Sequence, residues 1–205
     1  MDNTTATPQG YIDALKSTID NLNIDAIQQA ITLILQTYER GGTIYIFGNG
    51  GSGATSSHIA GDFVKGVSFG LEKRFRMICL NDNFTGLSAY SNDISYDLVF
   101  VEPLKNFLKT GDLVIGLSGS GNSKNVVLAF EYANEIGVET IAFCGYKGGK
   151  IKDIATVAVH AEIDNMEISE DLHLIAFHII KNSIIARLHG GLGLNVGEVF
   201  QSRVD

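Results

Sequence analysis

Two residues able to transfer protons or bind a metal, His58 and Asp62, lie four positions apart in a segment with helical patterning. This spacing places both side chains on one face of a helix, with their Cβ atoms about 5–6 Å apart. An imidazole and a carboxylate at that separation suit metal ligation or paired acid–base chemistry. A plain hydrogen bond on the protein surface is the alternative, and the spacing alone favours it.

A second group of ionisable residues surrounds the start of the last helical segment: Glu167, Glu170, Asp171, His173 and His178. Acidic residues at the start of a helix usually complement its dipole, and Ser169 is a candidate cap there. This account covers Glu170 and Asp171 but leaves His178, which is flanked by apolar residues, without an explanation. A core histidine without a chemical role is the alternative for His178.

A glycine-rich stretch, GNGGSG over Gly48–Gly53, matches the G-x-G-x-x-G pattern of dinucleotide-binding loops. That function also needs an acidic residue about 20 positions further on, and the nearest candidate, Asp82, comes roughly ten residues too late. Backbone N–H groups in such a turn attract any anion at the start of a helix. The sequence therefore favours an anion loop over a nicotinamide site, and a turn without a ligand is the remaining alternative.

A second loop, SGSGNS over Ser118–Ser123, follows another apolar run and precedes a helix. Its glycines allow close approach of the backbone, its hydroxyls donate hydrogen bonds, and the helix start favours negative charge. These properties suit a phosphate monoester. The sequence contains no G-x-x-x-x-G-K-[ST] motif, so a nucleoside triphosphate is not indicated as the ligand. Alternatively, Ser123 is only an N-cap and the other residues form a polar turn.

The elements that carry these residues alternate between strand and helix. Helical stretches are predicted at Ser52–Gly66, Ser123–Ile136 and Ser169–Leu188, after an earlier helix capped by Asn23 and ended by Gly41-Gly42. Apolar runs predict strands at Thr43–Phe47, Phe75–Leu80, Leu113–Leu117, Thr140–Cys144 and Ala155–Val159. This pattern predicts an α/β fold, a doubly wound parallel five-stranded sheet flanked by helices, with an N-terminal helical arm. Ligands of such sheets bind beyond the carboxyl ends of the strands.

The 205 residues suit one domain, divided into N-terminal helices (1–41), an α/β core (43–188) and a C-terminal extension (189–205). The net charge of -8 and the absence of a basic stripe argue against nucleic acid as a partner. No apolar run approaches the roughly 20 residues of a membrane span. Cys79 and Cys144 each lie in an apolar run, which predicts core thiols and a cytoplasmic location.

Three motifs together resemble the SIS (sugar isomerase) domain: GNGGS followed by His58, S-x-S-G-x-S at Ser118–Ser123, and the late segment EDLHLIAFH. The resemblance covers nearly the whole chain and is closest to the bacterial phosphoheptose isomerases. That family has a flavodoxin-like sandwich fold and interconverts sedoheptulose 7-phosphate and D-glycero-D-manno-heptose 7-phosphate. The resemblance implies an enzyme that takes a proton from the carbon beside a carbonyl and proceeds through a cis-enediol.

The same resemblance implies a zinc site at His58, Asp62, Glu170 and His178, with Asp62 as the base and His178 as its acid–base partner. This chain departs from the family at two of these positions. Asp62 replaces the usual glutamate and is one methylene shorter, and Glu170 replaces a neutral glutamine and adds charge. Two histidines and two carboxylates are still a sound set for a divalent metal.

Further expectations concern the substrate and the assembly. The resemblance implies a homotetramer, and it assigns sugar hydroxyls to Asn92 and Asp93, for which ordinary turn residues are the alternative. Two other functions stay open: a non-catalytic SIS protein that binds a sugar phosphate or a protein partner, and an isomerase of another phosphosugar. The residues expected to contact substrate are Asn49, Gly50, Gly51, Ser52, Asn92, Asp93, Ser118, Gly119, Ser120, Ser123 and Glu170.

Overall fold

A computed structural model describes residues 3–188 of the chain. The helices are α1 (Pro8–Asp20), α2 (Ile24–Glu39), α3 (Gly50–Gly61), α4 (Phe84–Asp93), α5 (Val101–Phe107), α6 (Lys124–Glu135), α7 (Gly149–Ile154) and α8 (Met166–Leu188). The strands are β1 (Ile44–Gly48), β2 (Met77–Cys79), β3 (Leu113–Ser118), β4 (Glu139–Cys144) and β5 (Val157–His160). A π-helical segment, Asp62–Val67, continues α3. The predicted extension at 189–205 lies outside the described residues.

The five strands form one parallel sheet in the order β2-β1-β3-β4-β5, which confirms the predicted fold. One apolar layer packs α2, α3 and α8 against one face, and the other packs α5 and α6 against the opposite face. The direction of winding reverses between β1 and β3. Their carboxyl ends therefore form the crevice in which open α/β sheets bind ligands, and both predicted anion loops start there.

Capping side chains determine where two of the helices begin. Asn23 caps α2 as predicted, since its Oδ1 accepts a hydrogen bond from the Ala26 N–H at 3.1 Å. The prediction that Ser169 caps the last helix is wrong. Asn165 takes that position, because its Oδ1 accepts from the Ile168 N–H at 2.9 Å. Ser169 lies inside α8, and its hydroxyl donates to the carbonyl of Asn165.

Both cysteines are free and buried, as predicted for core thiols. Burial raises the pKa of the Cys79 thiol to about 11 and that of the Cys144 thiol to about 12, so neither is reactive near neutral pH. Within residues 3–188, none of the helices combines the length and the apolar character that crossing a bilayer requires.

Candidate active site

The loops after β1 and β3 enclose a cleft of about 280 Å³ at the carboxyl edge of the sheet. Nine of the residues predicted to contact substrate line it, together with Leu117 and Met166: Asn49, Gly50, Gly51, Ser52, Ser118, Gly119, Ser120, Ser123 and Glu170. The structure therefore brings the two predicted anion loops into one cavity.

The two helices that begin at this cleft lack side-chain caps. Asn49 and Ser123 occupy the N-cap positions of α3 and α6, and neither side chain accepts a hydrogen bond from its helix. Side chains cap α1, α2 and α4, whereas α5 and α7 also lack such caps. Free N–H groups at two converging helix starts favour a bound anion.

The hydroxyl of Ser123 takes part in a hydrogen bond within the loop. It accepts a hydrogen bond from the Ser118 hydroxyl at 3.1 Å and none from the start of α6, although Ser123 occupies the N-cap position. The backbone N–H of Gly121 donates to the carbonyl of Ser118 at 2.9 Å and closes the turn. Hydroxyl groups and backbone N–H groups thus share one small space.

The β4–α7 loop and α7 itself both hydrogen-bond to the serine loop, Ser118–Ser123. The N–H groups of Gly145 and Ile151 donate to the carbonyls of Gly119 and Gly121 at 2.8 and 3.0 Å. Gly121 has φ +65°, and a Cβ atom there would lie 1.8 Å from the Gly148 carbonyl oxygen. Only glycine fits at this position, because both the backbone conformation and the contact exclude a side chain.

Asn49 belongs to a polar network that the sequence did not reveal. Its amide exchanges two hydrogen bonds of 2.9 Å with the amide of Asn125, and the Tyr96 hydroxyl donates to its Oδ1 at 2.7 Å. Asn125 is buried in the first turn of α6. Its place two residues after Ser123 was the available signal, but an asparagine in a first helical turn usually faces solvent.

Other polar residues near the sheet edge have structural partners. Asn81 makes two hydrogen bonds with the backbone of Gly48, and Asp82 accepts one from the Ser57 hydroxyl at 2.6 Å. Asn92 and Asp93 lie exposed at the end of α4 and contact each other at 2.7 Å. The structure does not bring them to the cleft.

The proton-transfer candidates His58, Asp62 and His178 do meet. Asp62 Oδ2 lies 3.4 Å from His58 Nε2 and 3.8 Å from His178 Nε2. A cation that the sequence did not point to joins them, because Lys181 Nζ lies 2.7 Å from the same oxygen. Asp62 directly follows α3 and begins the π-helical segment, and such segments often occur at functional sites.

This group can hold a divalent metal. One carboxylate oxygen and one nitrogen of each imidazole lie within 4.8 Å of one another. Ligand atoms about 2.1 Å from a tetrahedral zinc ion are about 3.4 Å apart, close to the observed separations. Asp62 Oδ2 is also buried, with the Lys181 ammonium as its near partner. A carboxylate oxygen with two imidazole nitrogens close by is a donor set that fits a metal.

The remaining ionisable residues of α8 lie elsewhere. Glu170 is not in the metal-competent group, since its carboxylate lies against Gly51 at the cleft. Asp171 accepts a hydrogen bond from the Tyr11 hydroxyl at 2.6 Å, which raises the pKa of Tyr11 to about 12. His173 is buried against Phe143, and burial lowers its pKa to about 4.

Helices α3 and α8 run side by side from the cleft to the acid–base group. Glu170 lies beside Gly51 near their starts, and His178 lies beside His58 further along. The two pairs mark two levels along the helices, seven residues apart on α3 and eight residues apart on α8. At 1.5 Å per residue, the two levels are about 10–12 Å apart.

A larger groove of about 750 Å³ lies along β2, α4 and α5. The described residues that line it include tyrosines, apolar side chains, an arginine and a lysine, but no carboxylate or imidazole. It contains neither of the two predicted anion loops and none of the residues His58, Asp62 and His178, so the smaller cleft is the better candidate.

Comparisons with known proteins agree with this geometry. The SIS domain matches residues 10–145. The chain is 37% identical to a probable phosphoheptose isomerase of Thermoplasma volcanium over 170 residues, which cover 83% of this chain and 86% of the relative. It is 36% identical to the phosphoheptose isomerase of Clostridium acetobutylicum, over 83% of this chain and 87% of that one.

The solved structure of a phosphoheptose isomerase from Neisseria gonorrhoeae superposes with a TM-score of 0.77 at 28% identity. The match covers 84% of this chain and 91% of that one. Fold, anion loops and the histidine–aspartate group are thus accompanied by similarity over most of the chain, and the protein belongs to the phosphoheptose isomerase family of SIS-domain proteins.

Proposed function

We propose that this protein is an aldose–ketose isomerase that interconverts sedoheptulose 7-phosphate and D-glycero-D-manno-heptose 7-phosphate. Its relatives at 36–37% identity carry the name phosphoheptose isomerase. The observation that carries the proposal is the placement of an anion cleft and an acid–base group at two levels of the same helix pair.

The separation of the two levels supports a long open-chain substrate. Seven bonds join C2 of a heptulose 7-phosphate to phosphorus, and at about 1.2 Å per bond they span roughly 8 Å. A hydrogen-bond length of about 3 Å to the base brings the reach to about 11 Å. This is close to the 10–12 Å between the level of Gly51 and Glu170 and the level of His58 and His178, where the Asp62 carboxylate lies, whereas a triose phosphate is too short.

In the proposed mechanism, the phosphate binds the uncapped helix starts and the hydroxyls of Ser118, Ser120 and Ser123. The Asp62 carboxylate removes the proton from the carbon next to the carbonyl and later returns it to the neighbouring carbon. His178 moves a proton between the two oxygens of the cis-enediol. The half-buried imidazole of His178 lies beside Asp62, so both groups can reach adjacent atoms of one substrate.

We propose that the metal is zinc, held by His58, Asp62 and His178. When bound, it would polarise the carbonyl and hydroxyl oxygens of the substrate. Glu170, the fourth residue expected to bind the metal, lies against Gly51 at the cleft and is proposed to act at the phosphate end.

We also propose that the chain is a single SIS domain that assembles as a homotetramer in the cytoplasm. Large apolar side chains that are exposed in the single chain, including Phe84, Phe107 and Ile94, support association. Two free thiols, both buried, suit a reducing compartment.

The decisive experiment uses the metal-replete protein and sedoheptulose 7-phosphate in deuterated water, followed by NMR of the sugar. We expect the aldoheptose phosphate with deuterium next to the carbonyl, and the loss of both signals in Asp62→Asn. Asp20→Asn makes the same chemical change on the exposed end of α1 and should stay active. Binding of the sugar phosphate without product or exchange would overturn the assignment and favour a sensor or a different phosphosugar.

A further inference from the structure

The carboxylate of Asp62 has a cation of its own. Lys181 lies three residues after His178 on α8, so both side chains leave the same face of the helix. Its Nζ is 2.7 Å from Asp62 Oδ2, and only 21% of the lysine side chain is exposed. The end of the side chain passes over Gly66 in the π-helical segment, with Cε 3.5 Å from where a Cβ would stand.

This position conflicts with a metal ion on the same oxygen. A metal about 2.1 Å from Oδ2 lies at most about 4.8 Å from an ammonium that is 2.7 Å from that atom, whatever the angle between them. Like charges at this distance repel by more than a kilocalorie even at the dielectric constant of water, and more in a partly buried site. The lysine and the metal therefore compete for one carboxylate.

We propose that Lys181 is the resident counter-ion of Asp62 and sets the affinity of the site for divalent metal ions. Without metal, its ammonium compensates the charge of Asp62, whose Oδ2 is buried. A binding metal takes over this charge and displaces the ammonium, which weakens metal binding relative to a neutral residue at position 181. This inference rests on the proposed metal site, and it concerns affinity for the ion, not turnover.

The test is a cobalt titration of the chelator-treated full chain at low ionic strength, followed by the visible absorption of the bound ion and by equilibrium dialysis. Lys181→Met keeps the length of the side chain and removes its charge, so it should bind cobalt at least about tenfold more tightly than the unaltered protein. Lys181→Arg keeps the charge and should bind cobalt about as weakly as the unaltered protein.

Arg187→Met is the matched control, because it removes a positive charge from the same helix while its partner is Gln28 on α2. It should leave cobalt affinity unchanged. Lys181→Gln provides a second neutral variant should the methionine variant fail to fold, as judged by thermal unfolding.

Equal or weaker cobalt binding in the neutral variants would overturn the proposal, as would the absence of binding in every variant. The titration contains no sugar, so loss of the isomerase assignment would not change its outcome. Conversely, if the protein is an active isomerase but its cobalt affinity does not depend on the residue at position 181, only the role of Lys181 is refuted.

Discussion

Glu170 and Gly51 face each other across the start of α3, so closely that a Cβ atom at position 51 would lie 2.6 Å from Glu170 Oε1. The carboxylate thus stands beside the uncapped helix start that is proposed to hold the phosphate. A negative charge there opposes a bound anion and competes for the same positive end of the helix.

Glu170→Gln should therefore strengthen the binding of inorganic phosphate by about three- to tenfold at low salt, since one nearby negative charge is removed. Calorimetric titration measures this change. Glu167→Gln, three residues earlier on the same helix and outside the cleft, should have no effect. Weaker phosphate binding in Glu170→Gln would instead mean that the carboxylate holds the ligand directly.

Gly121→Ala should destabilise the protein by about 2 kcal/mol or more, because the new Cβ meets the Gly148 carbonyl and the positive φ is strained. For a chain of this size the melting temperature should fall by about 4–8 °C. Gly61→Ala is the control, since a Cβ there has nothing within 4 Å and lies at the end of α3. Differential scanning calorimetry should show this variant to be as stable as the unaltered protein or slightly more so.

Asn125 should act as a positioning residue for Asn49. Asn125→Ala removes both amide contacts that fix the Asn49 side chain, and kcat/KM should fall about tenfold or more. Tyr96→Phe removes one hydrogen bond from an exposed side chain and should cost only a few-fold in kcat/KM, with unchanged stability. Steady-state kinetics measures kcat/KM of each variant, and a thermal melt shows whether its stability has changed as well. Equal kcat/KM for Asn125→Ala and the unaltered enzyme would contradict this role.

His173 should make stability depend on pH. Burial lowers its pKa from 6.5 to about 4, so below about pH 6.5 the unfolded chain binds a proton that the folded chain resists. As the pH falls from about 6.5 to about 4, the contribution of His173 to the free energy of unfolding should decrease by about 1.4 kcal/mol per pH unit. His173→Leu should remove that slope in urea denaturation at several pH values. An unchanged slope would assign the effect to other groups.

Local patterns were sufficient for most of the framework. Continuous apolar runs located all five strands, and the loops Gly48–Gly53 and Ser118–Ser123 were correctly expected at one edge of the sheet. The sequence pattern predicts the wrong cap for α8, because Ser169 and Asn165 both suit an N-cap and only the observed hydrogen bonds distinguish them.

Contacts between distant residues were beyond such patterns. Asp62 and Lys181 are separated by more than a hundred positions, and the contact depends on how α3 and α8 pack. The meeting of Asp62 with His178 was anticipated only through family resemblance. Asn125 escaped notice because its burial arises from the convergence of α6 with the loop after β1, which no local spacing encodes.

The hydrogen bonds from Gly145 and Ile151 to the serine loop have a thermodynamic consequence. A loop already held in one conformation has little entropy left to lose when an anion arrives, so more of the contact energy appears as affinity. Residues of the β4–α7 loop and of α7 that do not line the cleft would then govern how tightly the anion binds. Loosening that loop should make association entropically less favourable while the contacts to the phosphate stay the same.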